Sequence, residues 1–269
     1  MARILLTVRY DGTAYHGWQV QPNGVTVQQV LQDAVEAVTG VRSGITGCSR
    51  TDAGVHADMF CCAVDTDSPL RGDKLCCALN FHLPRDVSVY DAHQVGEDFH
   101  PRYHAKGKRY VYRIWNGPQR HPVYDRYALW IKKPLDVPFL NAVAQAYVGT
   151  HDFAAFCGAG SDVQGTTERT IASCTVTREG DLVLFTVEGD GFLYNMVRIM
   201  VGTLLEIAAG RMASDSIPAI LEGRDRTAAG PTAPALGLCL AQVFYDDYDG
   251  KGGMTDGRTQ TVSPDPQKE

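Results

Sequence analysis

The sequence predicts an α+β fold built on a largely antiparallel sheet. Two observations carry this reading. The first hundred residues alternate between period-2 and helical apolar patterns in the order β-α-β-β-α-β. The second half repeats the mixture of strands and helices, without a detectable sequence repeat, and contains a hairpin turn at Glu179-Gly180-Asp181. The chain has 269 residues, 44% hydrophobic and 21% charged, with 27 Gly and 13 Pro. That balance is globular and allows one large domain or two smaller ones.

Residues 3 to 9 (RILLTVR) alternate and predict a strand. Residues 26 to 39 predict a helix: Thr26 suits the N-cap and Gln29 completes a capping box. Val27, Val30, Leu31, Ala34, Val35 and Val38 form its apolar face, and Gly40 is the stop. Residues 43–48 and 58–65 predict short strands flanking a turn, 71–82 a short helix, and 86–94 another strand. The segment 97–108 has no apolar periodicity and reads as a link between halves. Residues 109–115 alternate as a strand, and 138–148 predict a helix. Strands are expected at 171–178 and 181–189, helices at 192–209 and 214–222, and a last strand at 237–245. The expected organisation is an N-terminal half over 1–103, a C-terminal half over 104–246, and a mobile tail over 247–269 rich in Gly, Asp and Thr.

Composition and motifs exclude several function classes. No apolar run approaches the roughly 20 residues that cross a bilayer, and the short apolar stretch after Met1 continues as amphipathic protein, so neither a span nor a signal peptide is expected. With a net charge of −6, any nucleic-acid role must reside on a local basic patch. The eight cysteines include no C-x-x-C pair. The adjacent pairs Cys61-Cys62 and Cys76-Cys77 do not suit zinc, because neighbouring strand side chains point to opposite faces. Reduced thiols in a cytoplasmic protein are expected. There is no P-loop, no H-E-x-x-H, no deaminase-type P-C-x-x-C and no G-x-S-x-G elbow; Gly158-Ala159-Gly160 lacks a third glycine and does not follow a strand. Nothing calls for a cofactor.

Three segments carry candidate chemistry. The polar run Gly47 to Ala57 (GCSRTDAGVHA) lies between two predicted strands and holds Arg50 and Asp52. Such a loop presents functional groups from a rigid sheet; it also suits a plain turn in which Asp52 caps backbone amides. His100 to Arg113 (HPRYHAKGKRYVYR) contains Arg102, Lys106, Lys108, Arg109 and Arg113, interleaved with Tyr103, Tyr110 and Tyr112, and no acidic residue. Cations neutralise phosphates and rings stack on bases, so the composition suits RNA; a solvated charged strand has the same composition. Arg198 is the only charged residue between Asp190 and Glu206. Among Val, Met and Leu it either snorkels to solvent or pairs with a buried carboxylate such as Asp52.

GCSRTDAGVHA resembles the G-x-x-R-T-D-x-G-V-H-A signature of the tRNA pseudouridine synthase A family. YDGTAYHGWQVQP, GKRYVYRI, GFLYNMVRIMVGTLLEIAAGR and PALGLCLAQVFY resemble four further family segments, in family order from about residue 3 to residue 246. Ala235 departs from the family, where a second proline is usual, and the tail is outside its pattern. The resemblance implies two ferredoxin-like halves whose sheets join into one extended sheet with an active cleft between them. It implies a homodimer, and an isomerase that converts uridine to pseudouridine at positions 38, 39 and 40 of the tRNA anticodon stem-loop without metal or cofactor.

The implied roles follow residue by residue. Asp52 matches the catalytic aspartate, acting as nucleophile or as base at the ribose. Arg198 matches the arginine that pairs with it and keeps it ionised. Tyr110 matches the tyrosine that stacks on the target base, Arg50 fills the space the base leaves or binds its phosphate, and Leu238 walls the uracil pocket. Lys108 and Arg109 belong to the basic segment that binds phosphate. Two other readings compete: an RNA-binding module without catalysis, which has no need of Asp52 or Arg198, and a metal-dependent RNA hydrolase using His56, Asp58 and Asp52.

Overall fold

The computed structural model describes residues 1–160 and 165–246; the expected mobile tail lies outside the described residues. Ten strands form a single sheet: β1 (Ala2–Tyr10), β2 (Ile45–Gly47), β3 (His56–Thr66), β4 (Val87–Val95), β5 (Gly107–Trp115), β6 (Leu129–Trp130), β7 (Gly149–Asp152), β8 (Glu168–Glu179), β9 (Leu182–Gly189) and β10 (Leu238–Phe244). The main path runs β4-β1-β3-β10-β5-β9-β8-β7, with β2 on β3 and β6 on β5. Among the described residues five α-helices accompany it: α1 (Val27–Thr39), α2 (Gly72–His82), α3 (Val137–Ala144), α4 (Met196–Ala208) and α5 (Ser216–Gly223). The α+β class and the single extended sheet agree with expectation.

The sheet is joined by its last strand. β10 pairs in parallel with the start of β3, Cys239 opposite His56 and Leu240 opposite Ala57. On its other side it pairs antiparallel with β5, Leu238 opposite Tyr112 and Leu240 opposite Tyr110. β10 therefore fills the gap between β3 and β5. It sets the end of the 48–55 loop beside the tyrosines of β5.

Local chemistry explains most boundaries. Thr26 Oγ1 accepts from the Gln29 amide at 3.3 Å, making half of the expected capping box, and Gly40 closes α1 at φ 73°. β1 departs from simple alternation: Ile4 to Val8 are all buried, because this interior strand is covered on both faces. β3 begins two residues earlier than predicted, since β10 supplies backbone partners for His56 and Ala57. The strands β6 and β7, of two and four residues, are too short to leave a periodic signal. The helix expected over 138–148 stops at Ala144 and tightens into a 3₁₀ turn before β7. The helix expected from 192 starts at Met196, because Asn195 takes a left-handed conformation, φ 60°. The expected link 97–108 is a bonded turn, and β5 starts within it at Gly107.

α4 is buried over most of its length and holds the segment 229–234 against itself. Thr203 Oγ1 accepts from the Gly230 amide at 2.9 Å, and the Ala233 amide donates to the Arg198 carbonyl at 3.1 Å. Gly202 permits this approach: a Cβ there would overlap the Pro231 carbonyl oxygen. Gly202→Ala is expected to destabilise the protein by about 1–3 kcal/mol, in the range of overpacked cores. A denaturant midpoint equal to the wild type would show that the segment yields without cost.

Candidate active site

The loop 48–55 is fixed from both sides. The Cys48 amide donates to the Cys61 carbonyl at 2.8 Å, anchoring the loop on β3. From the N-terminal side the segment 11–18 lies against it. The Trp18 amide donates to the Thr51 carbonyl at 3.1 Å, the Gly54 amide to the Tyr15 carbonyl at 3.2 Å, and Tyr10 and Thr51 share a hydroxyl hydrogen bond of 2.8 Å. Gly12 and Gly17 allow this contact, since a Cβ at either would overlap Val55 or Thr51 backbone. Trp18 stacks on Phe60 with centroids 4.0 Å apart. The Y-D-G-T-A-Y-H-G-W segment is thus the seat of the loop.

His56 closes the loop. Its Nδ1 accepts from the Gly12 amide at 3.1 Å and lies 3.1 Å from Asp11 Oδ1; its Nε2 lies 3.1 Å from both the Arg126 and Leu236 carbonyl oxygens. The ring ties four separated segments together.

Asp52 and Arg198 meet as expected. Asp52 Oδ2 accepts from Arg198 Nη1 at 3.0 Å, and both side chains are 17% exposed. Two further bonds orient the guanidinium: Nε donates to the Ala233 carbonyl at 2.7 Å and Nη1 to Asn195 Oδ1 at 2.8 Å. Arg198 is therefore aimed by α4 and by the 229–234 segment. Asp52 Oδ1 has no hydrogen-bond partner among the described residues, which leaves one carboxylate oxygen open. Burial pushes the Asp52 pKa above the ordinary carboxylate value, and Arg198 opposes that push. Arg198 acts in the expected direction, favouring the ionised form, and desolvation outweighs it. The result is a more basic and more nucleophilic carboxylate.

β5 and β10 supply the rest. Tyr110 is buried, its hydroxyl 3.3 Å from Ser49 Oγ and its ring edge-to-face with Phe192 at 5.0 Å. Burial raises its pKa, so the phenol is neutral at neutral pH. Tyr112 is fully buried, and its hydroxyl donates to the Pro234 carbonyl at 2.8 Å. Strand alternation puts both tyrosines on one face; their hydroxyl partners separate them, Tyr110 bonding the 48–55 loop and Tyr112 the 229–234 segment. Leu238 is buried at the start of β10, opposite Tyr112.

The sequence profile described as tRNA pseudouridine synthase matches residues 6–104 and 143–246. The chain belongs to that family. It is 45% identical over 246 residues to the tRNA pseudouridine synthase A of Clostridium kluyveri, covering 91% of this chain and all of that one. It is 43% identical over 245 residues to the enzyme of the same name from Ruminiclostridium cellulolyticum, again covering 91% of this chain and all of the relative. Among solved structures, one chain in a crystal structure of a Cbf5-Nop10-Gar1 complex aligns with 90% of this chain and 50% of that chain, at 14% identity and TM-score 0.38. That likeness is too distant to argue from.

The basic segment of this synthase family member divides between the two faces of β5. Lys108 lies on the face of Tyr110, buried, with no hydrogen-bond partner among the described residues, and burial lowers its pKa. Arg109 points the other way. It is bonded to Glu188 at 2.6 Å and to Gln242 at 3.0 Å and lies over the Phe244 ring. Arg113 approaches Asp58 at 3.6 Å, and Lys106 pairs with Asp246 at 2.9 Å. The structure thus separates Arg109 from the residues it was expected to join. Arg50 is exposed in the loop, with no hydrogen bond or ion pair to a described residue. Of the hydrolase trio, His56, Asp52 and Asp58 are each engaged with different partners, and no group of three His, Cys, Asp or Glu among the described residues is placed to hold a metal.

Sequence reasoning missed Asn195 and Ser49, the residues that orient Arg198 and Tyr110. Asn195 carried a weak signal, because Asn is one of the few residues that tolerates the left-handed region. Ala235, the family departure, has its Cβ against Gly54 of the loop, closer to the site than its sequence position suggests.

In a pH profile of pseudouridine formation, activity should rise with pH as Asp52 ionises, through a limb shifted upward from the ordinary aspartate value. Because Arg198 lowers that pKa, the residual activity of Arg198→Leu should be small and its acid limb should move to higher pH. Arg198→Lys should restore only part of the rate, since the planar fork that reaches Asn195 and Ala233 is lost. A limb unmoved in Arg198→Leu would show that the guanidinium does not act on Asp52.

Proposed function

We propose that this isomerase of the tRNA pseudouridine synthase family acts on the anticodon stem-loop of tRNA, at uridines 38, 39 and 40, with Asp52 as the reacting carboxylate. The observation that carries this is the open oxygen of Asp52. The other oxygen of the carboxylate, Oδ2, is held against Arg198, in a loop whose Ser49 bonds Tyr110.

In the reaction the bond from N1 to C1′ breaks, the uracil turns over, and C5 bonds to C1′ of the same ribose. C5 gives up its proton and N1 gains one, so no redox partner is required. Asp52 acts at the ribose as nucleophile or as base, and both roles need the ionised form. A base inside a helix cannot be turned over, so the target uridine is extruded. Arg50 then occupies the space it leaves or binds its phosphate, Tyr110 stacks on the uracil, and Leu238 walls it. Tyr110 also serves proton transfer at C5. Lys108 meets phosphate from the same face; Arg109, already paired, supports β5 instead.

The division into halves at 103/104, the homodimer and the cytoplasmic location belong to the same proposal. It is supported by the family; no helix among the described residues is long and apolar enough to cross a membrane.

Unmodified tRNA incubated in EDTA, followed by a pseudouridine-specific chemical readout, tests the reading directly. Asp52→Asn and Asp52→Ala should bind tRNA and form no pseudouridine. Turnover by Asp52→Ala near the wild-type rate would refute the mechanism, and loss of wild-type product in EDTA would favour a metal-dependent enzyme.

A second comparison separates the tyrosines. Tyr110→Phe should keep most tRNA affinity and lose product, assigning the hydroxyl to proton transfer or positioning. Tyr110→Ala should lose stacking worth on the order of 1–3 kcal/mol as well. Tyr112→Phe should leave the chemistry nearly intact, its bond to Pro234 being a packing contact. Normal turnover by Tyr110→Ala with loss in Tyr112→Ala would exchange the two assignments.

A further inference from the structure

The turn 99–104 is more ordered than its sequence suggests, and no step of the proposed reaction uses it. The His104 amide donates to the His100 carbonyl at 3.0 Å, and the His100 amide donates to His104 Nδ1 at 3.1 Å. His100 Nδ1 in turn accepts from the Arg102 and Tyr103 amides at 3.1 and 3.4 Å. From beneath, the Tyr245 hydroxyl donates to the Pro101 carbonyl at 2.7 Å. Phe99 stacks against His104 at 5.1 Å and tilts against Tyr245 at 5.5 Å. Two imidazoles and a phenol are thus spent on shaping a six-residue turn.

What this turn presents outward is Tyr103, 76% exposed, with the His100 ring at 4.2 Å on one side and the Arg102 guanidinium 5.9 Å from its centroid. Arg102 has no carboxylate or other hydrogen-bond partner for its guanidinium among the described residues. A large ring held in the open gains nothing from burial, and a rigid ring beside a free cation is the pairing that binds an unpaired nucleotide: the base stacks and the phosphate meets the guanidinium. The turn also adjoins the site. It leads directly into β5, where Lys108 precedes Tyr110 by two residues on the same face, and Arg102 and Arg169 both bear electrostatically on Lys108. Arg169 bonds only backbone carbonyl oxygens, those of Thr166 and Glu168, so its charge is not neutralised by a carboxylate.

We propose that the 99–104 turn is a second nucleotide-binding station, at which Tyr103 stacks on an unpaired base of the RNA flanking the target uridine and Arg102 holds its phosphate. The station rests on tRNA being the substrate. It requires an unpaired base, because the faces of bases within a duplex are covered by their neighbours. It therefore engages loop nucleotides rather than the stem.

Steady-state and single-turnover kinetics on unmodified tRNA, with tRNA binding measured across a salt series, test this. Tyr103→Ala should raise KM and Kd by about fivefold to a hundredfold, the range for one lost base stack. The single-turnover rate at saturating enzyme should stay at the wild-type value, and so should the thermal unfolding midpoint, because the ring is exposed. Tyr103→Phe should bind as the wild type does. Arg102→Gln should reduce the salt dependence of binding by roughly one unit of slope or less. Wild-type KM and Kd in Tyr103→Ala, or equal loss in Tyr103→Phe, would overturn the station while leaving the wild-type activity, and hence the substrate, established. Failure of the wild type itself to bind tRNA would remove the reading on which the station rests.

Discussion

A guanidinium placed in an apolar helix must be met by acceptors, and much of this structure is arranged to meet that of Arg198. Asn195 leaves the helical region to offer its side-chain oxygen, the 229–234 segment presents the Ala233 carbonyl, and the 48–55 loop brings Asp52. The ion pair joins residues 146 positions apart in sequence. Such a pair is weak evidence for stability, because desolvating both charges consumes most of the Coulombic gain. Its value is orientation: with one Asp52 oxygen held by Arg198, the other is directed into open space, and partial burial keeps it basic.

The pair forms only because the sheet is spliced where it is. β10 runs parallel to β3 and antiparallel to β5, so the start of β3, the start of β10 and the middle of β5 coincide. The loop that precedes β3 therefore lies beside Tyr110 without any long connection between them. His56 reinforces the same junction through backbone groups at Gly12, Arg126 and Leu236. The histidine of the loop motif is thus accounted for by architecture, and a role at the reacting atoms is not needed to explain it. The seat formed by residues 11–18 does the equivalent work on the other side of the loop, bonding Thr51 and Gly54 on either side of the aspartate, which is why that motif accompanies it.

Legibility from sequence followed the length and regularity of each signal. The helix beginning after Thr26 was readable from its cap, its apolar face and its stop at Gly40, because each is a local property. Arg198 was readable because a lone charge in an apolar run has few physical solutions. The position of β10 was not, since nothing within a seven-residue strand states which neighbours it takes. The apolar pattern puts the start of α4 too early because Phe192 to Tyr194 continue it, while Asn195 turns left-handed and its side chain accepts from Arg198 three residues on, a local feature that periodicity does not register. The 97–108 segment lacks periodicity because its order comes from side chains bonding backbone, which leaves no repeating trace.

The basic segment shows where composition misleads. Read as a string, HPRYHAKGKRYVYR offers five cations and three tyrosines to an RNA. Folding divides them. Period-2 geometry sends Lys108, Tyr110 and Tyr112 to one face of β5 and Arg109 and Arg113 to the other, where Glu188 and Asp58 approach them. Lys106 is met by Asp246. Three of the five cations of this segment are thus met by the protein's own carboxylates, so the count of Lys and Arg overstates what the segment offers a polyanion. Several cations are left without a carboxylate among the described residues; those on or next to the elements of the site are Arg50 in the loop, Lys108 on the Tyr110 face of β5, Arg102 on its turn and Arg169 at the start of β8. A net charge of −6 and affinity for RNA are then compatible, because attraction depends on which charges remain unpaired near the cleft and only weakly on their sum.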